Sequence, residues 1–382
     1  MKKVNTLKVG ILGGGQLAKM LIPECLKLDV NLHILDPDTE CSASPWCKSH
    51  IIGDFRNFDD VYNFGKDMDV LGIEIEQVNI QALDILEKKG VKVIPSSSVI
   101  NKIQNKGTQK ILYAVKGLPT SAFRIFESAA AIKKAFEKGE LELPFVQKSC
   151  KGGYDGKGVL VVSQQEQLES LLEGESVVED LVTIKKELSV IVCHDGNGNY
   201  VTFPTVEMVF DDRANLVDYT LSPAQINAEV EAQAQNLALE VIQAFDMTGI
   251  LAVELFLTPD DQLLINEVAP RVHNSGHHTI EANVSSQFEQ YSRILVNMPL
   301  SDTSSSCFST MVNLVGEPGY SGTAIYEGVE ELLSIPKLSL HLYGKKETRP
   351  FRKMGHFTIV GHSLQEVLDK TEQAKKIIKV IA

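Results

Sequence analysis

The chain has 382 residues, 43% hydrophobic and 23% charged, enough to bury the cores of two or three domains and too apolar for extended disorder. A formal net charge of -13 argues against a general nucleic-acid surface, which needs clustered basic residues, but allows small phosphorylated ligands held by a few cations and backbone N–H groups. No uncharged apolar run reaches about 18 residues and no signal-peptide pattern opens the chain, so a soluble, unexported, cytoplasmic protein without membrane contact is expected.

In chain order, residues 8–12 read as a short buried strand, followed by Gly13-Gly14-Gly15 and a helix from near Gln16. Strands are expected over 31–36, 70–75 and 91–94, with a helix over 80–89, giving parallel βαβ units through about the first hundred residues. Residues 101–115 and 129–138 look helical and frame a linker. Strand candidates at 145–147, 159–162, 176–179 and 187–193 bracket a Gly-rich turn and suggest a small α+β lobe with a lid. The clearest helix is 225–244, whose Ile226, Val230, Ala234, Leu237, Ala238, Val241 and Ile242 recur at helical spacing. Strands at 249–257 and 262–268 flank the turn Thr258-Pro259-Asp260-Asp261. The last part contains structured segments at 329–333, 339–343 and 357–361 and a terminal helix from Leu364. Six cysteines (Cys25, Cys41, Cys47, Cys150, Cys193, Cys307) form no CxxC pair and read as reduced structural thiols.

Three constellations carry chemistry. Gly10-Ile11-Leu12-Gly13-Gly14-Gly15, with Asp36 further on, fits a dinucleotide turn, a ligand-free strand-to-helix turn, or a helix start whose N–H groups meet a substrate phosphate. Lys148-Ser149-Cys150-Lys151-Gly152-Gly153-Tyr154-Asp155-Gly156-Lys157-Gly158 puts a strand-borne cation before a loop able to pass close to phosphoryl oxygens. It lacks the Gly-Lys-Ser/Thr ending of a Walker A loop. Glu254 and Asn266-Glu267, on strands joined around Pro259, form an oxygen-donor set suited to magnesium and nucleotide phosphates. The polar loop beyond them carries Arg271, placed to meet an anionic intermediate. Together these residues predict activation of a carboxylate by ATP as an acyl phosphate, followed by attack of an amine.

On Gly13-Gly14-Gly15-Gln16-Leu17, Thr108-Gln109-Lys110, Gly152 through Gly158 and Asn266-Glu267-Val268-Ala269-Pro270-Arg271-Val272-His273-Asn274-Ser275-Gly276-His277, the chain resembles the ATP-grasp superfamily over nearly its whole length. Within it, the resemblance is to the 5-(carboxyamino)imidazole ribonucleotide synthases, the ATPase subunits of phosphoribosylaminoimidazole carboxylase. This implies an α/β and α+β fold: a Rossmann-like pre-ATP-grasp domain (1–100), a linker and central lid lobe (101–182), and a C-terminal lobe with the metal site and a small terminal subdomain (183–382). It also implies a homodimer that consumes ATP, bicarbonate and 5-aminoimidazole ribonucleotide.

By resemblance, ATP contacts Lys106, Lys148, Gly153, Tyr154, Asp155, Gly156, Lys157, Gly158, Val159, the hinge Glu179, Asp180, Leu181 and Val182, and Glu187, with Asn266 and Glu267 beside the phosphates. Glu179 and the hinge backbone address adenine, and Glu187 accepts from the ribose hydroxyls. Magnesium falls to Glu254 and Glu267. The ribonucleotide falls to Gln16, Leu17, Glu76, Tyr154, Asp155, Arg271, Lys345, Arg352 and Lys353. Arg271 stabilises charge on the carboxyphosphate intermediate, His273 orients it or moves a proton, and Lys148 serves phosphoryl transfer. The glycines at 13–15 then receive substrate or shape its pocket, leaving the dinucleotide reading behind. The chain departs from the family at Phe210, where relatives carry histidine, and at Lys19, where arginine is frequent. The alternatives are another ATP-grasp carboxylate–amine ligase, a formate-using ribonucleotide transformylase, or a non-catalytic nucleotide-binding protein.

Overall fold

The computed structural model describes residues 6–153, 158–211 and 216–382. The first unit alternates strand and helix as the pattern predicts. β1 (Val9–Leu12), α1 (Gln16–Lys27), β2 (Leu32–Asp36), β3 (Ser49–Ile52), α2 (Phe58–Gly65), β4 (Val70–Ile73), α3 (Ile80–Lys88) and β5 (Lys92–Ile94) build a parallel sheet in the order β3-β2-β1-β4-β5. Every residue of β1 and β4 is buried, as expected of central parallel strands covered on both faces. β3 and α2 escape the sequence reading because β3 is an edge strand with Ile51 and Ile52 exposed, so it lacks a buried apolar signature.

Residues 101–115 do not form one helix. α4 (Ser97–Ile103) stops and α5 (Lys106–Lys116) restarts after Asn105, whose side chain caps the new helix by accepting from Thr108 N at 3.1 Å. Gln104, at the break, donates to the carbonyls of Glu76 (2.7 Å) and Val78 (3.0 Å). The interruption thus puts Lys106 at the first helical position and ties α5 to the first unit. Gly117, at φ 69°, closes the helix in the left-handed region that glycine adopts freely.

β6 (Phe123–Phe126), α6 (Ala129–Glu137), β7 (Phe145–Ser149), β8 (Val159–Val162) and β9 (Ser176–Asp180) form a four-stranded sheet ordered β6-β9-β7-β8. Phe126, Phe145, Val162 and Val178 face α6, and the opposite face carries Lys148 in register with Val159 and Val177.

The third and largest sheet begins with β10 (Lys186–His194), β11 (Tyr200–Thr202), β12 (Val206–Asp211) and β13 (Leu216–Ser222). After α7 (Ala228–Ala244) come β14 (Gly249–Leu257) and β15 (Leu263–Ala269), then α8 (Thr279–Ala282), α9 (Gln287–Leu295) and β16 (Phe308–Val315). Two short ribbons (β17, Gly322–Thr323; β18, Ile325–Glu327), α10 (Val329–Leu333), β19 (Leu338–Leu342), β20 (Glu347–Thr348), β21 (Lys353–Gly361), α11 (Leu364–Ile377) and β22 (Lys379–Ile381) complete the chain. The main order is β15-β14-β10-β12-β13-β16-β21-β19, so β16, β21 and β19 extend the same sheet, while β17 pairs with β20 and β18 with β22 in two separate two-stranded ribbons. α7 starts at Ala228, three residues later than its periodicity suggests, because Asn227 caps it by accepting from Val230 N at 2.9 Å.

One core cluster runs from α1 and β1 to α9, β10 and β14, fusing the first sheet to the third. Tyr291 of α9 is its pin: its hydroxyl accepts from Ile73 N and donates to Ile94 O, both at 3.0 Å. Among the described residues no helix is long and apolar enough to cross a membrane.

Candidate active site

The site grows from an irregularity in one strand pair. Glu254 of β14 sits opposite Glu267 of β15, but the next pair is Leu255 with Ile265, leaving Asn266 as the extra residue of a β-bulge. Ile265 and Val268 both enter the core behind the sheet, so Asn266 and Glu267 together occupy the space over its other face. Strict alternation would have turned one of them inward. Ser189 of β10 continues the row beside Glu254, and Glu187 pairs with Phe256 one row along.

Two lysines converge on this bulge. Lys106, at the start of α5, donates to Glu267 Oε2. Lys148, from the lid sheet, donates to Asn266 Oδ1 at 2.8 Å and lies 3.1 Å from Glu179 Oε2. Burial alone would raise the Glu267 carboxyl, but Lys106, Lys148 and His273 outweigh it and hold Glu267 below its usual range. Glu254 goes the other way, pushed up by burial and then by the charges of Glu267 and Glu187. Glu187 is raised to about 7, again first by burial. Two carboxyl groups and one amide, Glu254, Glu267 and Asn266, are the oxygen donors available to a hard cation such as magnesium, which prefers such donors with nucleotide phosphates filling the remainder of its shell; among the described residues no group of three or more His, Cys, Asp or Glu is gathered closely enough to hold a metal ion unaided.

Beyond β15 the chain turns sharply. Arg271 Nη2 lies 2.8 Å from Glu76 Oε1 of the first unit, and Nη1 donates to Val272 O at 3.0 Å. Its buried Nε has no hydrogen-bond partner among the described residues. His273 Nε2 is 3.6 Å from Glu254 Oε1, while Nδ1 meets Ser275 Oγ at 2.9 Å, which in turn meets Ser189 Oγ at 2.8 Å. Gln287 grips the His273 backbone from both sides, accepting from its N–H and donating to its carbonyl, each at 2.8 Å.

The Gly-rich turn after β1 is occupied by the chain itself. Gly14 N donates to Asp36 Oδ2 at 2.7 Å and Gly15 N to Glu74 Oε2. These carboxylates take the N–H groups that a pyrophosphate would use, and Asp36 is turned inward instead of toward a ribose. Burial, reinforced by Asp36, raises Glu74 to about 7. A Cβ on Gly14 would be driven into Cys41 Sγ, so this turn needs glycine for packing.

The other expected residues distribute as follows. Gln16 and Leu17 open α1 beside that turn, and Lys19 donates to Leu342 O at 2.8 Å, bringing the first unit against the β19–β21 region. There Lys345 donates to Lys353 O at 2.7 Å and Arg352 to Glu347 O at 2.6 Å, while Lys353 lies near enough to Glu254 to favour its ionised form. Gly153 and Gly158 approach each other at the neck of the lid loop, where a Cβ on Gly158 would lie 3.2 Å from Gly153 Cα. Tyr154, Asp155, Gly156 and Lys157 lie outside the described residues. Val159 is exposed on the Lys148 face, and Asp180 and Leu181 are exposed with Val182 half-buried at the end of β9. Phe210 sits at a bulge in the β12–β13 pairing.

Glu179 is 3% exposed and its carboxylate is committed to Lys110 and Lys148, so only its backbone is left to address an adenine. Two residues that sequence reasoning left without a role stand out: Glu74, which caps the helix start, and Lys110, which shares Glu179 with Lys148. The spacing of Lys106 and Lys110 on one helical face was the available signal for the second.

Lysines and paired carboxylates held between a small antiparallel lid sheet and a larger sheet define an ATP-grasp protein. Residues 111–288 match the ATP-grasp domain, residues 6–104 the ribonucleotide synthetase preATP-grasp domain, and residues 309–370 the phosphoribosylaminoimidazole carboxylase C-terminal domain. The N5-carboxyaminoimidazole ribonucleotide synthase of Bacillus subtilis (strain 168) is 34% identical over 371 residues, covering 95% of this chain and 94% of the relative. The crystal structure of N5-carboxyaminoimidazole ribonucleotide synthetase from Thermotoga maritima superposes with a TM-score of 0.91 at 38% identity, covering 99% of this chain and 100% of that one. The Aspergillus clavatus synthase, solved in complex with ADP and 5-aminoimidazole ribonucleotide, gives 0.88 at 32% identity over 98% and 99% of the two chains. The chain spans 65% of the length of the phosphoribosylaminoimidazole carboxylases of Vigna aconitifolia and Saccharomyces cerevisiae, which it matches at 36% identity. It belongs to the N5-carboxyaminoimidazole ribonucleotide synthase family.

Proposed function

We propose that this chain uses ATP to carboxylate 5-aminoimidazole ribonucleotide with bicarbonate, yielding 5-(carboxyamino)imidazole ribonucleotide, ADP and phosphate in purine biosynthesis. The observation that carries this reading is the reach of one short segment. Asn266 and Glu267 meet the lysines Lys148 and Lys106, and four residues further on Arg271 meets Glu76 of the first unit. Phosphate-binding charge and the ribonucleotide side therefore share one piece of backbone, which favours transfer between two substrates over nucleotide binding alone.

Lys106 and Lys148 bind the ATP phosphates, and by family resemblance Gly153, Tyr154, Asp155, Gly156, Lys157, Gly158 and Val159 contact the nucleotide too. The strand end at Glu179, Asp180, Leu181 and Val182 faces the adenine, and Glu187 accepts from the ribose hydroxyls. Glu254 and Glu267, with Asn266, would hold magnesium, which supplies charge neutralisation on the phosphates. Gln16, Leu17, Glu76, Tyr154, Asp155, Lys345, Arg352 and Lys353 hold the ribonucleotide, the basic group taking its phosphate.

A bicarbonate oxygen attacks the terminal phosphorus, breaking its bond to ADP and forming carboxyphosphate. The exocyclic amine then attacks the carboxyl carbon, phosphate leaves with the C–O bonding pair, and the amine gives up a proton. Arg271 stabilises the anionic intermediate through the positive charge of its guanidinium, which Glu76 holds in place. His273, oriented by Ser275 and Gln287, accepts the proton. We further assign the protein to the cytoplasm as a homodimer, on family resemblance, with sedimentation as the check on assembly.

The deciding experiment measures ADP release with ATP and magnesium, comparing 5-aminoimidazole ribonucleotide plus bicarbonate with omission of each. Release that needs the ribonucleotide and rises with bicarbonate is expected. Release supported by formate and indifferent to bicarbonate would defeat the assignment.

A further inference from the structure

Lys110, on α5, is 3% exposed. Its ammonium donates to Thr120 Oγ1 at 2.6 Å and Ser121 Oγ at 3.0 Å, and lies 3.0 Å from Glu179 Oε1. Ser121 Oγ passes its own proton toward Glu179 Oε2 at 2.8 Å, the same oxygen that Lys148 approaches at 3.1 Å. Thr120 Oγ1 donates to Ile265 O at 2.7 Å, and Ile265 N to Pro119 O at 2.8 Å, so the group is anchored to the residue preceding Asn266. α5, the lid sheet and β15 thus meet at this one ammonium.

The arithmetic of charge is what gives Lys110 a role. A buried Glu179 paired with Lys148 alone would form a closed neutral pair, and a phosphate would have to break it to recruit Lys148. With Lys110 on the other oxygen, two cations share one anion, and Glu179 keeps a partner when Lys148 turns to phosphate. Burial would otherwise favour protonated Glu179; the two lysines together hold it ionised.

Resting on the nucleotide site proposed above, we propose that Lys110 is a positioning residue: without touching the nucleotide, it takes half of the Glu179 carboxylate and so leaves Lys148 available to the phosphates of ATP.

The test is direct ATP binding, with magnesium present, by calorimetry on the full chain, so that turnover does not enter. Lys110→Met is expected to weaken ATP about tenfold or more, the scale of one charge-assisted hydrogen bond, and to leave ribonucleotide affinity unchanged. Adding Glu179→Gln to Lys110→Met releases Lys148 from its neutral pair and recovers part of the ATP affinity, which a merely structural role for Lys110 would not allow. A double variant no tighter than Lys110→Met overturns the proposal, as does unchanged ATP affinity in Lys110→Met. If Lys110→Met does not fold, the comparison becomes Glu179→Gln with the double variant. Near-equal ATP affinities support action through Glu179, and a further tenfold loss overturns it. An unaltered protein that binds no ATP defeats the nucleotide reading itself, whereas tight binding by wild type and Lys110→Met alike defeats this proposal alone.

Discussion

The turn after β1 and the bulged strand pair β14–β15 both gather carboxylates around backbone and cations, yet they are resolved in opposite ways. At the turn, Asp36 and Glu74 each take an N–H of the glycine run, and the anion-binding capacity of the helix start is spent inside the protein. At the bulge, Glu267 and Glu187 both push the Glu254 carboxyl up, and only Glu267 is directly paired with a lysine, Lys106. A glycine-rich motif is therefore a site only if its donors are unspent, and a carboxylate pair points to a cation only if the protein leaves it under-neutralised.

The largest effect is expected at the bulge. Glu267→Gln removes both the proposed magnesium donor and the partner of Lys106, and ADP release is expected to fall about a hundredfold or more. Near-normal turnover would remove the bulge from the chemistry. Arg271→Lys keeps the charge but cannot span Glu76 and Val272 O together, so KM for the ribonucleotide is expected to rise about tenfold while KM for ATP holds. Equal changes in both would show that the two substrate sides are not separable at Arg271.

At the turn the expected effects fall on stability. Gly14→Ala forces a methyl against Cys41 and toward Ile34, at a cost of about 1–3 kcal/mol by denaturant titration. A neutral outcome would mean the turn has room for a ligand after all. Glu74 supplies the smallest effect and a pH signature. Its carboxyl is raised from 4.5 to about 7 in the folded state, so below 4.5 it is protonated in both states and costs nothing. As pH rises from 4.5 through 7 the unfolded chain releases the proton first, and stability falls across that window. Glu74→Gln should remove this slope, so that its Tm gains on wild type by a few degrees between pH 5 and 8. Parallel Tm profiles would show that Glu74 is ionised throughout.

Much of the candidate site was legible because its chemistry lies in contiguous runs. The segment from Asn266 to His277 is read directly, and the Glu254–Glu267 pairing follows from two apolar strands and one turn. Its decisive detail was not legible: nothing in Leu-Leu-Ile-Asn-Glu-Val announces a bulge, because a bulge is a register mismatch with the partner strand. Lys110 escaped for a related reason. A lysine on a helix is ordinarily solvated, and only the assembled fold brings Glu179 of β9 and the Thr120-Ser121 segment beside β15 around it.

By itself, the sequence determined the βαβ opening, the fully apolar central strands, the existence of a long helix within residues 225–244, and the order in which lysines, glycines and carboxylates occur. These follow from periodicity, capping and composition, which are local. The tertiary structure decided that β16, β21 and β19 extend the third sheet, that residues 101–115 break at Asn105, and that Asp36 and Glu74 plug the glycine turn. It also decided that Lys110 and Lys148 divide one buried carboxylate. Each of these depends on where burial leaves a polar group without water, and a partner distant in the chain then has to supply what solvent no longer can.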